Sequence, residues 1–127
     1  VSADIDPKYV IGDGDIIFSW SGSLIVCIWC KGKGALNQHL FKVTSDEYPK
    51  WFYYQWVNYH LPEFQAIAAA KATTMGHIKR HHLTDSLTVC PPPELITEMN
   101  KIMEPIFNRI IHNDLESCTL AQLRDTL

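Results

Sequence analysis

PPPELITEMNKIMEPIFNRII, residues 91–111, decides how this chain is divided. Three consecutive prolines end whatever precedes them. Proline is tolerated at the first position of a helix, so Pro93 can begin one. Ile96, Met99, Met103, Ile106 and Ile110 then follow at spacings of 3, 4, 3 and 4. This is the heptad seam of helices that pair along their length. Leu120, Leu123 and Leu127 resume the spacing after Asn113 and Ser117 weaken it. Pro105 should kink the helix or start a new one, because it lacks an N–H and its ring crowds the preceding turn. Unbroken from Pro93 to Leu127, the helix would run about 52 Å at 1.5 Å per residue. A domain made of the roughly 90 preceding residues cannot cover that length, so much of the seam should seek a partner helix.

Upstream of the prolines the pattern changes. Thirteen of the fourteen aromatic residues lie between Tyr9 and Phe64, and large aromatics fill globular cores. Gly12-Asp13-Gly14 signals a turn. DIIFSW (15–20) reads as a strand. Ser21-Gly22-Ser23 turns the chain into LIVCIW (24–29), a continuous apolar run expected to be a strand buried on both faces. Residues 31–34 (KGKG) read as a flexible turn and 39–44 (HLFKVT) as a third strand. Ser45, Asp46 and Pro49 mark a helix start. Phe52, Trp56 and Tyr59 or His60 follow at helical spacing, with Pro62 expected to break or kink the helix and residues 62–70 to form a second stretch. Residues 72–76 read as a loop, 78–83 as one helical turn, and 86–90 (SLTVC) as a short strand. The expected fold is therefore α+β: a small mixed-sheet domain with helices over residues 1–90, then one long coiled-coil-type helix over 91–127.

Composition narrows the functions open to such a chain. With 127 residues, 46% hydrophobic and 20% charged, it is suited to folding rather than to disorder. No apolar run approaches the roughly 20 residues of a membrane helix, and the first residues do not read as a signal peptide. The net charge of −3 argues against indiscriminate polyanion binding. The charge is uneven, however: residues 1–30 carry −3, residues 31–82 carry +4 with five of the six His, and residues 83–127 carry −4. The basic middle leaves room for a local nucleic-acid face. The four cysteines, Cys27, Cys30, Cys90 and Cys118, lack the density of a small secreted scaffold, which points to a reducing cytosol.

Several constellations bear on chemistry. Cys27-x-x-Cys30 has no second pair to complete a zinc site, and residues three apart in a strand face opposite sides, so both read as small core residues. His77-x-x-x-His81-His82 has ligand spacing, but Ile78 stands where a hydrolytic zinc site has Glu, and Lys79 and Arg80 would repel a cation. A solvated basic turn and a nucleic-acid-facing segment stand beside the metal reading. No Ser-His-Asp set and no phosphate-binding glycine loop is legible; the residues point to no enzyme and no cofactor. Two polar clusters remain: Asn37-Gln38-His39, and Thr73-Thr74-Met75-Gly76-His77-Ile78-Lys79-Arg80. Amides suit adenine, Arg suits guanine, Gly76 admits close backbone approach, and Lys79 and Arg80 can neutralise phosphates. Taken alone, both also read as ordinary surface loops.

The order of the pieces adds context. GDIIFSWSGS (14–23), LNQHLFKV (36–43), ATTMGHIK (72–79), Pro91-Pro92-Pro93 and a helix ending LRDTL (123–127) together resemble the specificity subunit of type I restriction-modification enzymes. The resemblance covers nearly the whole chain. It implies a non-catalytic, cytoplasmic, bacterial or archaeal protein. Its target-recognition domain would read one half of a split site on double-stranded DNA. Its conserved helix would pair with a second spacer helix, from the same subunit or a dimer mate, set the spacing and dock methyltransferase (modification) subunits, with the restriction subunit engaged indirectly. Residues 1–90 would then be a recognition domain lacking its opening segment. On this reading Asn37, Gln38, Thr73, Thr74, Gly76, His77, Lys79 and Arg80 face DNA, with Ser21 and Ser23 secondary, while Ile96, Met99, Met103, Ile106 and Ile110 pair helices. The main rival is a protein-interaction module that dimerises through its helix; a metalloprotein built on the cysteines and histidines is the second.

Overall fold

Ile16–Ser19 is buried along its whole length and is the strand around which the rest assembles. The computed structural model describes residues 4–20, 23–70 and 78–127. A 3-10 turn (Pro7–Tyr9) leads to β1 (Val10–Ile11), β2 (Ile16–Ser19), β3 (Ile25–Ile28), β4 (Gly34–Ala35), β5 (Leu40–Val43), α1 (Lys50–Ala70), α2 (Arg80–Thr84) and α3 (Pro93–Asp125). One sheet has the order β3-β2-β5 and the other pairs β1 with β4. Every described pair is antiparallel; Phe18, for example, lies opposite Val26 on one side and Phe41 on the other. The α+β class expected from the sequence is the class observed.

The strand positions differ from the expectation in one respect. The apolar run at 24–29 is not the doubly buried strand. β3 is an edge strand, and Ile25 is 50% exposed. β2 takes the central place because both neighbours pair with it, although it ends in a serine. An apolar run reports low polarity, not position in the sheet. Side chains two apart share a face of a strand. Ile16 and Phe18 accordingly feed two adjoining core clusters: Phe18 joins Leu24, Phe64, Ala68 and Ile78, and Ile16 joins Trp51, Phe52 and Phe107. Burying side chains of this size contributes about 1.5–3 kcal/mol each.

The helix-start signal around Ser45 holds in detail. Ser45 Oγ accepts from the N–H groups of Glu47 and Tyr48, and Pro49 O accepts from Phe52 N–H. Of the break or kink expected at Pro62, the break does not occur. α1 runs through it for 21 residues, and Pro62 is exposed. Proline within a helix costs about 3 kcal/mol or more. The cost is offset because the same face is buried on both sides of it, by Trp51 and Phe52 before and by Phe64 and Ala68 after. Rings at steps of four form a ladder along that face: Phe52 to Trp56 at 6.4 Å, Trp56 to His60 at 5.9 Å and His60 to Phe64 at 6.0 Å between centroids.

After α2, residues 86–90 form no strand, contrary to expectation. Leu87 O meets His60 Nε2 at 2.8 Å, and Leu87 and Val89 stay exposed. α3 follows for 33 residues with Pro93 in its first turn, and it continues through Pro105 without ending. Its single buried side chain is Phe107, which meets Tyr54 of α1 at 5.3 Å between ring centroids.

Candidate nucleic-acid interface

The Asn37-Gln38-His39 turn and the described end of the second polar cluster, Ile78-Lys79-Arg80, both reach one residue, Trp20, at the end of β2. Trp20 N–H donates to His39 O at 3.4 Å, continuing the β2–β5 pairing by one residue. Trp20 C=O accepts from Ile78 N–H at 3.2 Å. Ile78 is 1% exposed and packs with Phe18, Leu24 and Phe64. Its burial pins the start of the Lys79-Arg80 segment to the same end of the sheet as the Asn37-Gln38-His39 turn. Asn37, Gln38, Lys79 and Arg80 are all exposed there. Thr73, Thr74, Gly76 and His77 lie outside the described residues, as does Ser21; Ser23 is exposed. Trp20 was not among the candidates read from the sequence. Its only signal was a bulky aromatic at a strand end immediately before a Ser-Gly-Ser turn.

Hydrogen bonding gives these side chains different capacities. Asn37 Oδ1 accepts from His39 N–H at 2.9 Å and holds the turn closed. That occupies one of the two groups a bidentate contact to adenine needs. Gln38 approaches only His39, with Nε2 to Nε2 at 3.4 Å, and presents its amide more freely. Lys79 N–H donates to His82 Nδ1 at 2.9 Å, so the imidazole caps α2. Among the described residues neither Lys79 nor Arg80 is in an ion pair. By contrast, Lys42 Nζ donates to Val10 O at 2.9 Å and Lys50 Nζ to Gly14 O at 2.7 Å. Part of the basic middle therefore serves the fold, whereas Lys79 and Arg80, among the described residues, lie exposed at the Trp20 end.

No group of three or more metal-binding side chains occurs among the described residues. His60 and Ser86 both line a cavity of about 240 Å³. Their polar atoms have partners within the fold: His60 Nε2 meets Leu87 O, His60 Nδ1 lies 3.7 Å from Glu63 Oε2, and Ser86 Oγ donates to His82 O. Cys27 is free and half-buried on β3, and it joins neither core cluster, although the sequence suggested a core residue. Cys30 is not a plain core cysteine: it is disulfide-bonded to Cys118. A partner 88 residues away is invisible to motif spacing.

The expected helix seam is divided between two faces of α3. Met99 and Met103 pack into the cluster of Trp51, Phe52 and Phe107. Ile96 is half-buried. Ile106 and Ile110 point away from the core and are exposed, together with Leu95, Ile102, Leu120, Leu123 and Leu127.

In sequence, the chain is similar to a specificity subunit of a type I restriction enzyme. That relative is the MjaIX specificity subunit of Methanocaldococcus jannaschii, 25% identical over 63 residues. The match takes in 50% of this chain but 15% of the relative. No protein-family model and no solved structure matches the chain. Among the described residues, no helix is long and apolar enough to cross a membrane.

Proposed function

We propose that this chain recognises DNA as part of the specificity subunit of a type I restriction-modification system. Residues 1–90 act as the recognition domain and residues 91–127 as the spacer helix. In this role the chain catalyses nothing. It holds a target half-site while partner methyltransferase and restriction subunits carry out the chemistry, in the cytoplasm of a bacterium or archaeon. The observation that carries the reading is the meeting of the Asn37-Gln38-His39 turn and the Ile78-Lys79-Arg80 segment at Trp20. Lys79 and Arg80 neutralise phosphates, Gln38 reads base edges, and Thr73, Thr74, Gly76 and His77 extend the same segment. The relative's identity as a restriction specificity subunit supports the same reading.

Phosphate contacts release counterions, so affinity must fall as salt rises. An electrophoretic shift with random-sequence duplex should appear at low salt and fade at moderate salt. A chain that retards no duplex at low salt would overturn the reading.

A second reading, a module that dimerises through α3, has its own support in the exposed apolar face of that helix. The two are compatible, since a spacer must also pair. Ile106 and Ile110 would belong to the pairing surface, whereas Met99 and Met103 would help to set the helix against its own domain.

A further inference from the structure

We propose that Cys30 and Cys118 form a redox-reversible clamp that fixes the C-terminal half of α3 against the sheet and releases it on reduction. The anchor on the sheet side is rigid. Cys30 lies two residues beyond β3, in a loop braced on every side. Trp29 N–H donates to Asp15 O at 2.7 Å, Gly14 N–H to Trp29 O at 2.8 Å, and Gly32 N–H to Asp13 Oδ1 at 2.7 Å. The Trp29 indole N–H also donates to Gly32 O.

The helix side is different. Met99, Met103, Phe107 and Ile111 recur every four residues and pack on the core. Ile111 approaches Gly14, where an added Cβ would lie 3.6 Å from its Cγ2. Beyond Ile111 the packing thins: Asp114, Leu115, Cys118 and Ala121 on this face are half-buried, and none of them joins either core cluster. Cys118 falls two turns further along, and its bond to Cys30 is, among the described residues, the one disulfide that ties this part of the helix to the sheet. The last third of α3 is therefore held by a half-buried face outside the core clusters and by a bond that reductants open.

The chemistry balances as thiol–disulfide exchange. To close the clamp, one thiolate attacks a low-molecular-weight disulfide and forms a mixed disulfide, expelling one thiol. The second cysteine then attacks its partner's sulfur and expels the other. The two cysteines lose two electrons and two protons, and the small disulfide is reduced to two thiols. A dithiol opens the clamp by the reverse steps and becomes a disulfide itself. The remaining cysteines do not compete. Burial pushes the Cys27 thiol up, with Lys31 opposing, which keeps it protonated and slow to exchange. Cys90 precedes the opposite end of α3, about 38 Å from Cys118 along the helix axis.

The proposal is independent of DNA binding, and its test uses none. Protein equilibrated with oxidised glutathione, denatured and treated with iodoacetamide should carry neither label nor glutathione on Cys30 and Cys118, as read by peptide mass. After dithiothreitol both should be labelled. Hydrogen exchange should be at least tenfold faster over residues 112–125 in the reduced protein and change less than twofold over 93–111. The Cys118→Ser variant should match the reduced protein under both conditions. Label or glutathione on Cys30 and Cys118 after oxidation, or equal protection of residues 112–125 in the two redox states, would overturn the clamp. Should the variant fail to fold, the comparison of reduced and oxidised wild-type protein decides alone.

Discussion

Asn37 and Gln38 carry the same functional group, yet the structure separates their roles. Asn37 closes its own turn, while Gln38 keeps its amide available. Gln38→Ala should therefore change which base is preferred, by about 1–3 kcal/mol of discrimination at one position. Asn37→Ala should instead loosen the turn, costing about 0.5–1.5 kcal/mol of stability for the lost hydrogen bond. Binding measured across single-base variants of the target, beside thermal unfolding, distinguishes the two. This difference was not legible in the sequence, where the two amides are equivalent neighbours. Gly14 was legible as a turn residue, but not the reason it must be glycine. Its φ is +89°, and its carbonyl accepts from Lys50 Nζ. Gly14→Ala should destabilise the fold by about 1–3 kcal/mol in denaturant unfolding, through left-handed strain.

At the scale of elements, α3 makes the sharper prediction. Its 3, 4 spacing revealed a helix and its extent, because periodicity is a local property. Which side of the helix faces the domain is not local, and two apolar stripes interleave here. Phe107 reaches Tyr54 and Ile16's cluster, so Phe107→Ala should cost about 3–5 kcal/mol and loosen the helix from the domain. Ile106 is 52% exposed. Ile106→Asp should leave the unfolding free energy of the isolated chain within about 0.5 kcal/mol, as surface substitutions do. It should abolish self-association or helix pairing in sedimentation experiments. A charge at Met103 would not isolate pairing, because Met103 also packs against the domain. Neither helix ends at its interior proline, one of the outcomes expected there, for a related reason. Pro62 and Pro105 carry a local cost, but packing on either side outweighs it. The assignment of β2 rather than β3 as the central strand likewise depends on neighbours that no short window contains.

At the scale of the whole molecule, the charge pattern was legible and its meaning was not. Seven basic residues fall between residues 31 and 82. The fold ties Lys42 and Lys50 to backbone carbonyls and leaves Lys79 and Arg80 exposed beside Trp20. His39 and Ile78, about 40 residues apart in sequence, meet at Trp20 because Ile78 is buried and the strand pairing runs one residue beyond β2. The central claim is that this end of the sheet faces DNA. The most direct test is a titration of wild-type chain and Lys79→Ala against fluorescent duplex over a range of salt concentrations. The account predicts weaker binding by Lys79→Ala to every duplex. It also predicts a log–log salt slope shallower by about one, as expected for one lost phosphate contact. Equal affinity and equal slope for the two proteins would contradict it.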